Sequence, residues 1–405
     1  MGSPISLNLI NLGIDWGWNN DFKDHSPLFR PTEVEAVTWK SVAADGSTIE
    51  RTSESLSSSL ENVAKRVELL GYTMDVSRLE YAALLNAHGM NHSTLSFDRL
   101  HEYLTSVDVT SDQPVLNAFC KIFGEMFVKQ TNTVLHYDDG RTMDGIGYTT
   151  LMEKLHPWAT LRILADNPAN LELPVAWDFG DVVAGGWTER NNIVRDLAPE
   201  LRFLLVTEGS SDAKILSHAF KMLRPEVADF FYFVDMEEGY PFSGTGNLHR
   251  FCQGLVSIGI LNRVLIIYDN DAEGSARYAA TKRLTIPPNM RVMKLPDLSV
   301  FENFQTIGPN GVGTDDINGR AAAIECYLDL SWKHATQPYV RWINFNKEID
   351  EYHGALINKE MYAREFLYIK DEETGYNFRN IQIVLDSIIS ECTAIAEALS
   401  RLKPR

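Results

Sequence analysis

No run of apolar residues in this chain approaches the roughly 18–20 needed to cross a bilayer, so no membrane-spanning segment and no membrane partner are expected. The N-terminus also lacks a basic region followed by an apolar core, which argues against a secretory signal. Met1-Gly2-Ser3-Pro4-Ile5-Ser6 fits the myristoylation pattern formally, but with no amphipathic or polybasic companion it reads as coincidence. The four cysteines, Cys120, Cys252, Cys326 and Cys392, form no CxxC pair and no zinc spacing. Reduced, buried thiols in a cytoplasmic protein are the simple expectation. Basic charge is scarce too. A formal net charge of −18 argues against a protein that coats nucleic acid non-specifically. It does not exclude an enzyme that reaches phosphodiesters through bound metal and a local basic patch. No Gly-x4-Gly-Lys-Ser/Thr phosphate loop occurs, so the chain carries no recognisable ATPase.

What is present is a chain of 405 residues with 44% hydrophobic and 23% charged residues, ordinary for a soluble globular protein of two or three domains. Ile5, Leu7 and Leu9 alternate with Ser6 and Asn8 as in a half-buried strand. Residues 14–20 then read as a turn, and residues 34–42 as a returning strand. From about Ser53 the spacing of Leu56, Leu60, Val63, Val67 and Leu70 predicts a helix ending at Gly71. Further helices are expected near 76–88, 97–106, 114–129 and 148–156, the last stopped by Pro157. The first half is therefore expected to be mainly helical, with a short strand pair in front. His88 and His92 have i, i+4 spacing, but Gly89 between them suggests a broken helix rather than a metal pair. Asp138-Asp139-Gly140-Arg141 is a turn by composition. Pro168 to Glu200, with Trp177 and Trp187, is expected to be an ordered connector between domains.

The second half alternates strand and helix. Phe203-Leu204-Leu205-Val206 is a short apolar strand that runs into Glu208-Gly209-Ser210-Ser211-Asp212, where Ser and Asp favour a helix start. Further strands at 229–234, 265–268 and 290–295, with helices between, predict a mostly parallel sheet covered on both faces. The strand at Leu265 stops on Asp269-Asn270-Asp271. Side chains at i and i+2 share a face, so Asp269 and Asp271 should project together from the carboxyl end of a strand, where open α/β sheets bind ligands. In isolation Asp-x-Asp is better explained by a solvated turn. With Glu208 and Asp212 at an earlier strand end, a hard divalent cation becomes the better explanation of four acids in consistent positions. The spacing of Ile381, Leu385, Ile388, Cys392, Ile395 and Leu399 predicts a C-terminal helix whose seam is either a dimer contact or packed on the chain's own core. Arg401, Lys403 and Arg405 form a short basic tail.

A strand ending in Glu208-Gly209, an Asp212 four residues after the Glu, and a later strand ending in Asp269-x-Asp271 resemble a Toprim domain, the metal-binding module of topoisomerases, DnaG-type primases and several nucleases. The form Glu-Gly-Ser-Ser-Asp resembles most the overcoming-lysogenization-defect nuclease branch. Ile14-Asp15-Trp16 followed by His25-Ser26-Pro27-Leu28-Phe29 is similar to the HEPN/Toprim-associated N-terminal domain of bacterial proteins. The resemblance implies a Rossmann-like α/β Toprim fold over 198–330, an N-terminal domain over 1–197 and a C-terminal helical extension over 331–405. It further implies Mg²⁺ or Mn²⁺ in a two-metal site that hydrolyses DNA or RNA, in bacterial anti-phage defence. Glu208 and Asp212 would hold one metal, with Glu208 also a general base; Asp269 and Asp271 would hold the second. Glu325, in what reads as an apolar helix, would add a ligand, and Lys359 or Lys294 would stabilise charge on phosphate. Lys359 follows an expected Tyr352-His353-Gly354 turn, and Glu273 is an outer residue or a plain helix N-terminal acid. HEPN-class ribonucleases often carry Arg-x4–6-His, which is found at none of the ten histidines. A topoisomerase is disfavoured, since no Tyr-bearing cleavage domain can be identified. Partners implied are a nucleic-acid substrate and an ATPase or other defence-system protein, with homo-oligomerisation open. The rival reading is a non-catalytic assembly or sensor subunit that retains the fold.

Overall fold

Ile5, Leu7 and Leu9 point into the core from strand β1 (Pro4–Leu9). Strand β2 (Leu12–Trp18) returns antiparallel beside it, so most of the stretch expected to be a turn is strand, with Ile14 in the core. Strands β3 (Val34–Val42) and β4 (Thr48–Ser59) pair along their length. Helix α1 (Leu60–Leu69) starts where β4 ends, with Ser59 as its cap accepting the Asn62 N–H. Then come α2 (Met74–Ala87), α3 (Phe97–Ser106), α4 (Ala118–Thr131), α5 (Met143–Lys154) and α6 (Pro157–Leu164). Strand β5 (Pro174–Asp178) inserts between β1 and β4, completing an antiparallel sheet in the order β2-β1-β5-β4-β3. Short helices α7 (Gly180–Ala184) and α8 (Arg190–Ile193) follow.

The expectation of a mainly helical domain with a strand pair is therefore corrected: a five-stranded sheet lies at its centre. Strand β4 reads TIERTSESLSSS, too polar to announce itself: its apolar residues are only Ile49 and Leu56, and Leu56 falls in register with the helix that follows. Strand β5 pairs with elements far away in sequence, which local periodicity cannot reveal. The expected connector thus contains the sheet's middle strand, and Trp177 is buried there, whereas Trp187 is largely exposed.

The computed structural model describes residues 2–42, 48–111, 118–131, 143–234, 245–309, 311–334, 337–346, 351–370 and 375–402; the Asp138–Arg141 turn, Leu116, Lys403 and Arg405 lie outside them. The chain divides into two units, Met1–Ala198 with Ser400–Arg405, and Pro199–Leu399.

The residues that carry the N-terminal signature form a clasp. The Trp158 indole N–H donates to His25 Nδ1 at 3.0 Å, so the proton of the neutral ring sits on Nε2, which donates to Asp15 at 2.9 Å. Burial alone would raise the Asp15 carboxyl, but the His25 hydrogen bond and the Lys23 ammonium bring it below its ordinary value. The buried Arg66 guanidinium donates to the carbonyls of Pro27 (3.0 Å) and Phe29 (3.3 Å), fixing the Ser26–Leu28 turn. His88 caps α2 and packs on the Phe127 ring, while His92 bonds Asn86, so the two histidines serve different partners. All four cysteines are buried free thiols.

In the second unit, β6 (Phe203–Val206) leads into α9 (Ser210–Leu223), and β7 (Phe231–Phe233) precedes α10 (Thr245–Ile258). Strand β8 (Arg263–Tyr268) is buried at all six positions, as an apolar run covered on both faces requires. A two-residue strand β9 (Asn270–Asp271), helix α11 (Ala272–Thr281) and strand β10 (Met290–Lys294) follow. The sheet order is β10-β8-β6-β7, parallel throughout, with Val206, Leu248, Cys252, Val264, Ile266 and Tyr268 in its core.

Beyond it, β11 (Phe304–Gly308), β12 (Gly311–Asp315), β14 (Val340–Asn346) and β15 (Glu351–Leu356) form a second, mixed sheet in the order β12-β11-β14-β15, while β13 (Ala321–Ala322) pairs with β9. Helices α12 (Lys359–Leu367) and α13 (Arg379–Leu402) close the chain. Residues 331–399 belong to this second unit, and the expected helical extension opens with the β14–β15 pair. The α13 seam (Ile381, Leu385, Ile388, Cys392, Ile395) is buried within the chain, which leaves it unavailable as a dimer contact.

Substituting Arg66→Met keeps the aliphatic stem but leaves the Pro27 and Phe29 carbonyls without these donors. Thermal or urea unfolding of the full chain is expected to show a loss of about 2–4 kcal/mol, the scale of two orphaned buried acceptors. An unchanged midpoint would contradict the clasp.

Candidate metal centre

The parallel sheet changes winding direction between its two central strands. Strand β6 connects through α9 to β7 on one side, and β8 connects through α11 to β10 on the other. The crevice at such a switch point, at the carboxyl ends of the strands, is where open α/β sheets hold ligands. Glu208 leaves β6 there, and Asp269 and Asp271 leave β8. The Val206–Ile266 pairing brings the two ends together, and Glu208 Oε1 accepts the Asp269 N–H at 3.0 Å.

Each acid is fixed by its backbone surroundings. Asp212, in the first turn of α9, reaches back to accept the Gly209 N–H at 3.0 Å, and Asp271 caps α11 by accepting the Gly274 N–H at 2.7 Å. Two helix N-termini, with their partial positive charge, thus meet the acids. Asp269 Oδ1 accepts the Ile324 N–H at 3.2 Å from a short 3₁₀ turn, Ile324–Tyr327. The expected apolar helix around Glu325 is that turn instead, and Glu325 is nearly fully buried with the Ser211 hydroxyl donating to it at 3.4 Å. Gly274 is needed for the close approach of α11: a Cβ there would lie 2.4 Å from the Asp269 carbonyl oxygen and 2.9 Å from Glu208 Oε1.

The electrostatics show how the carboxylates group. Burial, then the negative charge of Asp271, with Asp212 and Glu273 adding, pushes Glu208 up to about 8. Burial, then Glu325, pushes Asp212 up to about 7, against the pull of Lys359. Asp269 is raised well above its ordinary value by burial and by Asp212, Glu208, Asp271 and Glu325 together. Asp271 is raised by burial, with His353 acting in the opposite sense. Among the acids, Asp271 acts most strongly on Glu208 and Glu325 on Asp212, while Asp269 is raised by all four others. This regroups the pairs the resemblance implied. Lys359 opens α12 after Asn358, which takes a left-handed conformation; its ammonium is raised by Glu325, then by Asp269 and Asp212. Tyr352-His353-Gly354 is part of strand β15, not a turn.

Lys294 is engaged elsewhere: its ammonium donates to Asn270 Oδ1 and, at 2.9 Å, to Asp297. Asn270, which carried no expectation, is fully buried and also bonds Asp297, Asn318 and Tyr327 while accepting the Gly319 N–H. Alternation along Asp269-Asn270-Asp271 was the available signal: if the aspartates share one face, the Asn faces the other way and must find buried partners. Glu273 is an exposed acid in the first turn of α11.

All the donors here are carboxylate oxygens, the set a hard divalent cation takes. The raised proton affinities of Glu208, Asp212, Asp269 and Asp271 are what carboxylates buried close together produce. Among the described residues no three His, Cys, Asp or Glu side chains close on one point as a finished cage. The residues fit such a cation by chemistry and charge.

Fold and site define an α/β protein with an acidic cluster at the switch point of its parallel sheet. Residues 1–201 match the family model HEPN/Toprim N-terminal domain 1, so the first half carries a HEPN/Toprim-associated N-terminal domain, and a nuclease-related or Toprim-associated function is indicated. No curated protein and no solved structure matches the chain. Among the described residues no helix is long and apolar enough to cross a membrane.

A carboxyl with a raised folded-state pKa binds more protons folded than unfolded, so it subtracts stability as pH rises. For Glu208 the window runs from 4.5 to about 8, and for Asp212 from 3.8 to about 7. In chelator, the melting temperature is expected to fall across this window. Asp269→Asn should flatten the fall, and Mg²⁺ or Mn²⁺ should raise the wild-type melting temperature far more than that of the variant. Equal pH dependence of the two proteins would show that the acids do not interact. Gly274→Ala should lower the melting temperature even with cation, because its Cβ meets backbone rather than a movable side chain.

Proposed function

We propose that the second unit is a Toprim-type nuclease domain and that the protein hydrolyses phosphodiester bonds in nucleic acid with Mg²⁺ or Mn²⁺, as an effector of bacterial anti-phage defence. One observation carries the reading: Glu208, Asp212, Asp269, Asp271 and Glu325 converge from three chain segments on the crevice between β6 and β8. A fold serving as scaffold alone has no need for acids that raise one another's proton affinity.

Glu208, Asp269 and Asp271 would hold one cation, and Asp212, Asp269 and Glu325 a second, with Asp269 shared. Such cations, when bound, acidify an attacking water and stabilise the leaving oxygen. The chain's own residues do the rest. The Asp269 N–H holds Glu208 Oε1, which leaves Glu208 Oε2 to take a proton. Lys359 contributes a positive charge at the Asp212–Glu325 end, suited to a phosphate that gains negative charge in the transition state. The resemblance also makes an ATPase or another defence protein a candidate activating partner.

The test is incubation of purified protein with supercoiled plasmid and with total tRNA, in Mg²⁺ or Mn²⁺ and in chelator. Wild type should cut in metal only, Asp269→Ala should abolish cutting, and Lys359→Ala should slow it about 10²–10³-fold. If Asp269→Ala cuts as well as wild type, the activity is not this protein's. If wild type is inert with both substrates, alone and with proteins that co-purify with it, the acids serve a non-catalytic assembly or sensor module.

A further inference from the structure

The mixed sheet of the second unit presents one face that its own packing does not explain. Register places Gly308 of β11, Gly311 and Gly313 of β12, and Gly354 of β15 on the same side as Trp342, Tyr352 and Phe345. Trp342 stands between two of the glycines: a Cβ at Gly354 would lie 2.7 Å from its ring, and one at Gly308 3.2 Å. Asp315 accepts the Trp342 indole N–H at 2.9 Å and the Thr306 hydroxyl, which locks the ring's orientation. The Arg320 guanidinium lies 4.6 Å from the ring centroid. Tyr352 packs edge-on against Phe345, and both are at least 40% exposed, unusual for a cross-strand aromatic pair. Gly311, Val312, Gly313 and Thr314 leave a flat, exposed edge, and the cleft over this floor measures about 430 Å³.

This face is continuous with the acidic crevice. Arg320 forms a backbone bridge with Asp271, Ala321 pairs with Asp271, and the same segment runs on to Glu325. Strand β15 carries Tyr352 on the aromatic face and, on the opposite face, His353, which acts electrostatically on Asp271.

We propose that this face binds an unpaired nucleobase of a single-stranded nucleic acid, next to the phosphodiester held in the acidic crevice. The inference rests on the nuclease reading for the neighbouring site and narrows its substrate class. A flat glycine floor beside aromatic rings and a guanidinium suits a π-face, and stacking on such groups is tolerant of sequence. The Asp315 carboxylate at the floor disfavours a phosphate there, so the base rather than the backbone is the occupant. A paired base has both faces covered by its neighbours and cannot lie on the floor without leaving the duplex.

Gly313 supplies a clean block. A Cβ there meets no atom within 4 Å and the backbone is not left-handed, so Gly313→Leu fills the cleft without disturbing the fold. Fluorescence anisotropy in Ca²⁺ reads the binding of labelled single-stranded DNA, single-stranded RNA and duplex DNA to the full chain. Wild type should prefer one or both single strands to duplex. Gly313→Leu and Tyr352→Ala should each weaken that binding about tenfold, the scale of losing one stacked base, with unchanged melting temperatures. Duplex bound as tightly as either single strand, no oligonucleotide bound at all, or Gly313→Leu binding like wild type would overturn the proposal. Because the readout is binding, a chain that binds single strands in this manner but never cuts would sink the nuclease reading and leave the platform standing.

Discussion

Five carboxylates drawn into one crevice repel one another, and much of the second unit can be read as the means of holding them there. The cost of burying like charges is large unless protons, cations or dipoles offset it. Two helix N-termini contribute through α9 and α11, and backbone N–H groups from Gly209, Asp269, Gly274 and Ile324 each bind one carboxylate. Gly274 lets α11 come within contact of the β8 end, and Asn270 ties the same strand end to Asp297, Asn318 and Tyr327 from behind. Remove either support and the acids have a way to drift apart. A cation is the agent that would turn this repulsion into attraction, which is why the carboxylates' elevated proton affinity and the proposed chemistry are two aspects of one constraint.

The site and the aromatic platform share their walls. The segment from Asp315 through Arg320 to Glu325 fixes the indole at one end and supplies an acid at the other, and β15 presents Tyr352 and His353 to opposite sides. A strand of nucleic acid held by one would be presented to the other. The N-terminal unit has a different character. Its signature residues Asp15 and His25 are occupied with Trp158, and Arg66 with backbone carbonyls, so they read as architecture rather than chemistry.

Where the sequence was legible, the physics was local. Strand β8 announced itself because a strand covered on both faces must be apolar throughout, and Asp269 and Asp271 because alternation puts them on one side. The Glu208–Asp212 turn was readable from cap preferences. Four things were not. Strand β4 is polar and β5 pairs across a long sequence separation, so the antiparallel sheet of the first unit stayed hidden. The 3₁₀ turn that carries Glu325 reads as a helix in the sequence, because a few apolar residues carry no reliable period. Lys294 looked available until Asn270 and Asp297 were seen to hold it, and the grouping of Glu208 with Asp271 depends on three-dimensional proximity that spacing alone does not encode.

The central claim is that these acids exchange protons for a divalent cation. The direct measurement is calorimetric titration of Mn²⁺ into the full chain near neutral pH, repeated in buffers of different ionisation enthalpy to count the protons released. The expected result is saturable binding with release of at least one proton per chain, since Glu208, pushed up to about 8, must ionise to act as a ligand, and loss of both in Asp269→Asn. Binding without proton release, or no binding by the wild-type chain, would contradict it.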